Sequence, residues 1–381
     1  MITRNIGTKI AKTSKSILLL GPRQVGKSTL VNSLNPELTI NLADELEFLK
    51  YSSQPGALKE ELLLTGAKEI SIDEIQRIPS LLNTIQSLID SNKKLKFFLT
   101  GSSARKLKRG QVNLLPGRVL NYHLGPFSSC ELNYKMDSKK ALEKGCLPEV
   151  YLGKNSPEVI RTLRSYVANY IKEEIRAESL VRNLDSFARF LNETISSAGQ
   201  FVDYSKMSKK SRISRHAIPR YFEILEDTLI GDRVFSFDEI PADIKLVKHP
   251  KFYFFDNGVY NGLLNNFTAS QDRIGVLFEQ LVFSQLKHSA WAQEKELKIS
   301  SFRDYSGNEV DFVLDLENTK IGLEVKTSDK IISDDLEGLH FLQKTAPKIK
   351  DLQLWHLGAT EKKLGSIWVL PWQKGLKTMG L

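Results

Sequence analysis

The chain has 381 residues, a formal net charge of +9, 41% hydrophobic and 26% charged residues, and two cysteines. That length allows two or three cores, and the balance is that of a globular protein rather than a disordered or fibrous one. No segment approaches the ~20 apolar residues of a membrane span, and Cys130 and Cys146 suit neither a disulfide framework nor a metal-ligand spacing.

The opening stretch MITRNIGTKIAKTSKS lacks the apolar centre of a secretory signal, so the expected compartment is the cytoplasm. The excess positive charge fits a polyanion partner and equally fits plain solubility. The apolar run SILLL (16–20) reads as a strand and is followed by GPRQVGKSTL (21–30). Gly21 and Gly26 bracket four residues, Lys27 and Ser28 follow, and the spacing is that of a phosphate-binding loop. Glycines at those positions let successive N–H groups point into one concavity, and the helix that opens there favours an anion at its start. Lys27 reaches the β- and γ-phosphate oxygens, and the Ser28 hydroxyl ligates Mg²⁺. The nucleotide-contacting candidates are Gly21, Pro22, Arg23, Gln24, Val25, Gly26, Lys27, Ser28 and Thr29, with ATP and Mg²⁺ as the expected cofactors. An ordinary strand–turn–helix would also carry glycines, but the strand before and helix after are the context this loop requires.

In KEISIDEIQRIP (68–79), Ile70 and Ile72 alternate with polar positions, and Asp73-Glu74 fall where the strand ends. Ligands of open α/β sheets sit at the carboxyl ends of strands. Asp73 is therefore the expected Mg²⁺ partner, and Glu74 the residue that orients or deprotonates the attacking water. KLKFFLTGSSA (94–104) is a further strand, whose end offers Thr100 and Ser102 as sensors of the γ-phosphate, with Ser103 as a helix cap. Arg118, in LPGRV, either reaches the γ-phosphate edge as a sensor or makes a structural ion pair. Arg105, Arg109 and Arg176 are candidate arginine fingers, and a neighbouring subunit is the other source in a homo-oligomer. His123 reads as an ordinary strand residue.

SPEVIRTLRSYVANYIKEEIRAESL, from Ser156, opens with a good cap and Pro157 and repeats apolar residues at three-to-four spacing, so it reads as helix. Residues 201–236 predict two short helices, DYSKMSKKS and SRHAIPRYFEILEDT, joined by a turn at Arg212-Ile213. LIGDRVFSF and KFYFFD follow as wing strands. In such a winged helix the second helix presents Ser214, Arg215, His216 and Arg220, and KMSKKSRISRH is basic enough to grip DNA phosphates. Winged helices also serve as protein-interaction modules, and a charge run is commonly a solvated face.

RIGVLFEQLVFSQLKH (273–288) is an amphipathic helix carrying Glu279. EVDFVLD and GLEVK form a strand pair in which Asp311 and Glu324 are neighbours, and Lys326, two residues on, shares the face of Glu324. That is the D…E-x-K arrangement of restriction-endonuclease-like nucleases. Two carboxylates, with Glu279 as the helix acid, would hold a hard divalent ion, and Lys326 would stabilise developing charge. The alternative is a set of surface hairpin charges, with Glu324 and Lys326 a same-face pair.

GPRQVGKSTL, ISIDEIQRIP, FFLTGSSARKL, LPGRV, GPFSSCEL and GCLPEVY (145–151), with this C-terminal pattern, together resemble the predicted AAA-plus ATPases of bacteria and archaea. Those carry a C-terminal domain of unknown function, here with a PD-(D/E)XK-like pattern. The expected architecture is α/β: a P-loop, AAA-like ATPase domain (1–155), a helical and winged-helix segment (156–265), and a restriction-endonuclease-like domain (266–381). The resemblance implies an ATPase coupled to an effector. Its target is DNA, cut with a metal ion, or else a protein partner docked by an inactive nuclease-like fold.

Overall fold

The computed structural model describes residues 2–54, 56–102, 115–171, 184–241 and 244–381. Ser103, Arg105, Arg109 and Arg176 lie outside the described residues. Two compact units form: Met1–Pro126 with Asp227–Leu229, and Phe127–Glu226 with Ile230–Leu381. Among the described residues, no helix is long and apolar enough to cross a membrane.

The first unit is built on a parallel sheet of β1 (Ser16–Leu20), β2 (Leu38–Asn41), β3 (Glu69–Asp73), β4 (Lys96–Gly101) and β5 (Val119–His123), in the order β2-β3-β4-β1-β5. All five positions of β1 are buried, which explains why SILLL lacks the alternation of a half-solvated strand. One sheet face, with Leu18, Leu20, Ile70, Ile72, Phe97 and Leu99, packs against Leu82, Ile85 and Ile89 of the helix Leu81–Ser91. Each such side chain contributes about 1.5–3 kcal/mol on burial. Because every strand runs the same way, all carboxyl ends meet at one edge. The chain leaves β1 there into the glycine loop, β3 ends there at Asp73, and β4 ends there beyond Thr100. Val119 starts β5 at the other edge, opposite Ser16.

The second unit begins with short helices and includes Leu184–Ser196, Tyr204–Ser211 and Ala217–Asp227. Asp203 caps the middle one by accepting from Ser205 N and Lys206 N, Arg212 ends it in the left-handed region (φ 56°), and Arg189 Nε donates to Ser211 O at 2.8 Å. Phe187, Phe190 and Phe222 stack toward Phe252 with ring centroids 4.8–5.5 Å apart, an aromatic core for helices too short to hold themselves together. Two strands follow, β6 (Gly231–Val234) and β7 (Lys251–Phe254), paired antiparallel, and Phe252 lies on the second.

The helix Ile274–Gln293 then leads into a six-stranded sheet. Its strands are β8 (Leu297–Arg303), β9 (Glu309–Leu316), β10 (Thr319–Lys326), β11 (Asp351–His356), β12 (Lys362–Leu364) and β13 (Ile367–Pro371). They stand in the order β12-β13-β11-β10-β9-β8, and the first three in sequence form an antiparallel meander. Glu317 and Asn318, both at positive φ, make the two-residue turn between β9 and β10, as the twist of a tight hairpin demands. The helix Glu337–Thr345 provides the crossover to β11, which runs parallel to β10.

Gln280 joins the backbone of β7 to the long helix. Gln280 Oε1 accepts from Phe254 N at 2.9 Å, and its amide donates back to Phe254 O. Side chains alternate along a strand, so Lys251 and Tyr253 share the face presented to Glu279, while Phe252 turns to the aromatic core.

Asp256 is a second fixed point. It is 2% exposed, caps the helix Asn257–Leu264 through Gly258 N (2.8 Å) and Val259 N (3.1 Å), and accepts from Cys146 N at 2.6 Å. Asp256→Ala leaves those donors buried and unanswered, with an expected destabilisation of about 2–4 kcal/mol. Trp291, Trp355, Trp368 and Trp372 all lie in the second unit, so urea denaturation followed by tryptophan fluorescence reads this change directly; an unchanged midpoint would refute it.

Candidate functional site

The glycine loop needs its glycines for two different reasons. A side chain at Gly21 would place Cβ 2.1 Å from Leu124 O, and Gly26 stands at φ 91°, where a side chain is strained. Gln24 also adopts a positive φ of 61°. Val25 is buried, and its carbonyl accepts from Arg4 Nη1 at 2.7 Å, while Arg4 Nη2 donates to Gly125 O at 2.7 Å. Arg4 thus staples the loop to the chain beyond β5, a role with no signal in the local sequence. Ser28 and Thr29 lie in the first turn of the helix Lys27–Asn32.

Lys27 is only 5% exposed, and its Nζ donates to Gly21 O and Pro22 O at 2.9 Å each. A buried ammonium must be solvated by something, and here the loop's own carbonyls do it. Ser28 Oγ donates to Asp73 Oδ2 at 2.6 Å, and Thr100 Oγ1 donates to Asp73 Oδ1. The sheet order explains this meeting: β4 lies between β1 and β3, so its end delivers Thr100 between the loop and Asp73. Ser28 and Asp73 offer hard oxygen donors side by side, a set that suits Mg²⁺.

Glu74 follows in the left-handed region (φ 57°), which turns its side chain out of the strand direction. Its Oε2 accepts from Gln76 Nε2 and from Ser102 Oγ (3.3 Å), and Gln76 Nε2 also donates to Ser102 Oγ at 2.9 Å. Glu74 N donates to Thr100 Oγ1 at 3.3 Å. Lys27, Ser28, Asp73, Glu74, Thr100 and Ser102 are therefore all brought to one sheet edge. Gln76 belongs with them, although nothing in its local sequence marks it out.

Arg118 does not join them. It precedes β5 and so lies at the opposite edge, about six strand residues or ~20 Å along the sheet from the start of the loop. There its Nε and Nη2 grip Asp90 at 2.8 and 2.9 Å. The γ-phosphate sensor role is thereby corrected to the structural ion pair, because the strand's direction carries residue 118 away from the carboxyl edge.

In the second unit, Phe312 faces Leu323 across the hairpin, and one step further Asp311 meets Glu324 on one face. Val325 N donates to Asp311 Oδ2 at 2.9 Å, Asp311 N to Glu324 Oε2 at 3.4 Å, and Lys326 Nζ to Glu324 Oε1 at 2.8 Å. Burial, reinforced by the charge of Asp311, holds the Glu324 carboxyl above the usual carboxylate range against the pull of Lys326. Glu279 is raised likewise, by burial and then Asp311.

What does not form is a metal cage from Glu279, Asp311 and Glu324. Among the described residues, no three His, Cys, Asp or Glu side chains are grouped to hold a metal ion. Instead Lys251 Nζ, 3% exposed, stands 3.0 Å from Glu279 Oε1, 3.0 Å from Glu309 Oε1 and 3.6 Å from Asp311 Oδ1. Burial opposes its charge, but Tyr253, Glu279, Asp311 and Glu309 raise Lys251 well above its ordinary value, so it remains a cation. Tyr253 donates its hydroxyl to Glu279 Oε1 as well. Sequence reasoning misses Lys251 because its partners lie 28 or more residues away; the one hint is a lysine heading the strand KFYF, which is buried throughout.

Among known families, the model of an AAA domain matches residues 13–133, and two domains of unknown function, DUF8612 and DUF4143, match residues 136–270 and 274–374. The N-terminal part is thus an AAA-type P-loop ATPase domain. None of the curated proteins matches the sequence. Solved structures similar to the chain include a DNA replication initiation factor (11% identity, TM-score 0.26), covering 58% of this chain and 86% of that one. The Saccharomyces cerevisiae Hsp104–ADP complex (11%, 0.29) covers 77% and 44%. A signal-transduction ATPase with a tetratricopeptide repeat sensor from Pyrococcus horikoshii (14%, 0.24) covers 76% and 46%. These TM-scores are too low to bear on function.

The placement of Arg118 gives a direct expectation. Arg118→Ala leaves nucleotide affinity within about threefold of wild type, since the substitution removes only an exposed ion pair far from the loop. Titration with a fluorescent ATP analogue checks this, and a tenfold or greater weakening would return Arg118 to the nucleotide site.

Proposed function

We propose that this chain is a cytoplasmic ATP-driven switch: its AAA-type domain binds and hydrolyses ATP, and the rest of the chain engages a macromolecular target, DNA foremost. The observation that carries the ATPase half is the convergence of Ser28, Asp73 and Thr100 beside the Lys27 loop. Incoming phosphate oxygens would replace the Gly21 and Pro22 carbonyls as partners of Lys27. Ser28 and Asp73 would hold Mg²⁺, which when bound supplies charge neutralisation across the β- and γ-phosphates. Glu74 would orient and deprotonate the attacking water, held in register by Gln76 and Ser102. Thr100, touching both Asp73 and Glu74, would report the γ-phosphate to both.

Support for DNA comes from the two helices Tyr204–Ser211 and Ala217–Asp227 and the β6–β7 ribbon, an order that suits a winged helix. Lys206, Lys209, Lys210, Arg212, Arg215, His216 and Arg220 are all exposed around it. The succession of long helix, β8–β9–β10 meander, crossover helix and parallel β11, with Asp311, Glu324 and Lys326 on facing strands, favours a restriction-endonuclease-like fold. The lysine among its carboxylates favours binding over cleavage, and a protein partner docked by the same fold is the second reading.

Lys27→Ala should abolish nucleotide binding. Glu74→Gln should bind ATP with near wild-type affinity yet turn it over about 10²–10⁴-fold more slowly. Equilibrium binding and phosphate release measure both, and normal turnover in Lys27→Ala would sink the assignment. For DNA, neutralising Lys209, Lys210, Arg212 and Arg215 should reduce the slope of log K against log salt by about 0.9 for each phosphate no longer neutralised. An unchanged slope would move the DNA-binding surface elsewhere. No DNA binding by the wild type at any salt concentration would favour the protein partner.

A further inference from the structure

We infer that the Lys251 ammonium is the resident cation of the Glu279–Glu309–Asp311 cluster: it takes the place of a divalent metal, and the C-terminal half engages its target without cutting it. This rests on the nuclease-like reading only for the expectation that a metal would sit there.

Four observations carry it. The Nζ–oxygen distances of 3.0, 3.0 and 3.6 Å are those of an ammonium held among three carboxylates. A hard divalent ion would need its oxygens at about 2.0–2.6 Å, whereas here they are arranged around the lysine nitrogen. The position is also built rather than incidental. Gln280 takes both backbone groups of Phe254, which fixes β7 along the long helix, and the strand's alternation then aims Lys251 and Tyr253 at Glu279. The Phe201 ring adds a face for the cation, 5.2 Å from Nζ.

The charges are also already answered. Arg303 Nη1 shares Glu309 at 3.4 Å, and Lys326 takes Glu324. A divalent ion would enter a site with a permanent buried positive charge about 3 Å from its own ligands, where repulsion is weakly screened. Finally, an ammonium holds carboxylates in place but has no vacant orbital with which to polarise a phosphate or acidify a water, so the step a metal would drive has no agent.

The test is a Mn²⁺ titration of full-length, nucleotide-free protein, with free ion read by electron paramagnetic resonance. Asp73→Asn is carried in every sample so that the phosphate-loop oxygens contribute nothing. With Lys251 present, adding Asp311→Asn should leave Mn²⁺ binding unchanged. Lys251→Met should gain one site, tightening Mn²⁺ binding by about tenfold or more, and Asp311→Asn should remove that gain. Mn²⁺ binding that falls with Asp311→Asn while Lys251 is intact would overturn the inference, and this comparison holds even if Lys251→Met does not fold. A folded Lys251→Met protein, verified by circular dichroism, that gains no site would overturn it too. Failure of the wild type to bind DNA would move the target of the switch to a protein partner while leaving the manganese result where it is.

Discussion

A buried ammonium cannot be left without partners, and each unit of this protein is organised around one. Lys27 and Lys251 are both under one-tenth exposed. Burying an unpaired charge costs several kcal/mol even after relaxation, so the chain near each lysine must supply oxygens. The difference lies in which oxygens. The partners of Lys27 include two neutral carbonyls, which give up little when a phosphate takes over. Lys251 is held by carboxylates, and breaking such a buried pair costs about 3–5 kcal/mol because the abandoned charges remain buried. One ammonium is poised for exchange with an anion. The other is a fixture.

The same contrast separates what the two sheets do. In the parallel sheet, common strand direction gathers Ser28, Asp73, Glu74, Thr100 and Ser102 from three strands at one edge. The order β3-β4-β1 decides that Thr100 stands between the other partners. In the mixed sheet, Asp311 and Glu324 meet because two antiparallel strands share a two-residue turn. Residues that meet through a hairpin stay within a dozen or so positions of each other. Residues that meet through a parallel sheet need not, which is why Ser102 reaches Glu74 from 28 residues away.

This also sets what the amino-acid sequence makes legible. The phosphate loop can be read because its chemistry is local: two glycines, a lysine and a serine at fixed spacing between strand and helix. Asp311, Glu324 and Lys326 can be read because strand periodicity assigns faces without knowledge of the rest. Arg118 is ambiguous because its neighbours in sequence do not say which end of a strand it occupies; only the pairing of Ser16 with Val119 does. Arg4 is silent, and Lys251 gives only the hint of heading an apolar strand. Each acts through partners from distant parts of the chain.

Under the nuclease-like reading proposed above, the arrangement around Lys251 bears on what the C-terminal sheet is for when a lysine occupies its acidic cluster. Carboxylates gathered on one face repel a phosphate backbone, and in a hydrolytic site the metal reverses that repulsion. A buried lysine offsets part of that charge, without the reactivity and without dependence on ion supply. The carboxylates then serve to keep the lysine charged and immobile, and β7 is tied through it to β9 and to the long helix. Under this proposal, chemistry that breaks bonds is left to the parallel sheet, where Lys27 has partners it can exchange. The C-terminal sheet then offers a phosphate backbone a surface whose charge is set by side chains rather than by an exchangeable ion.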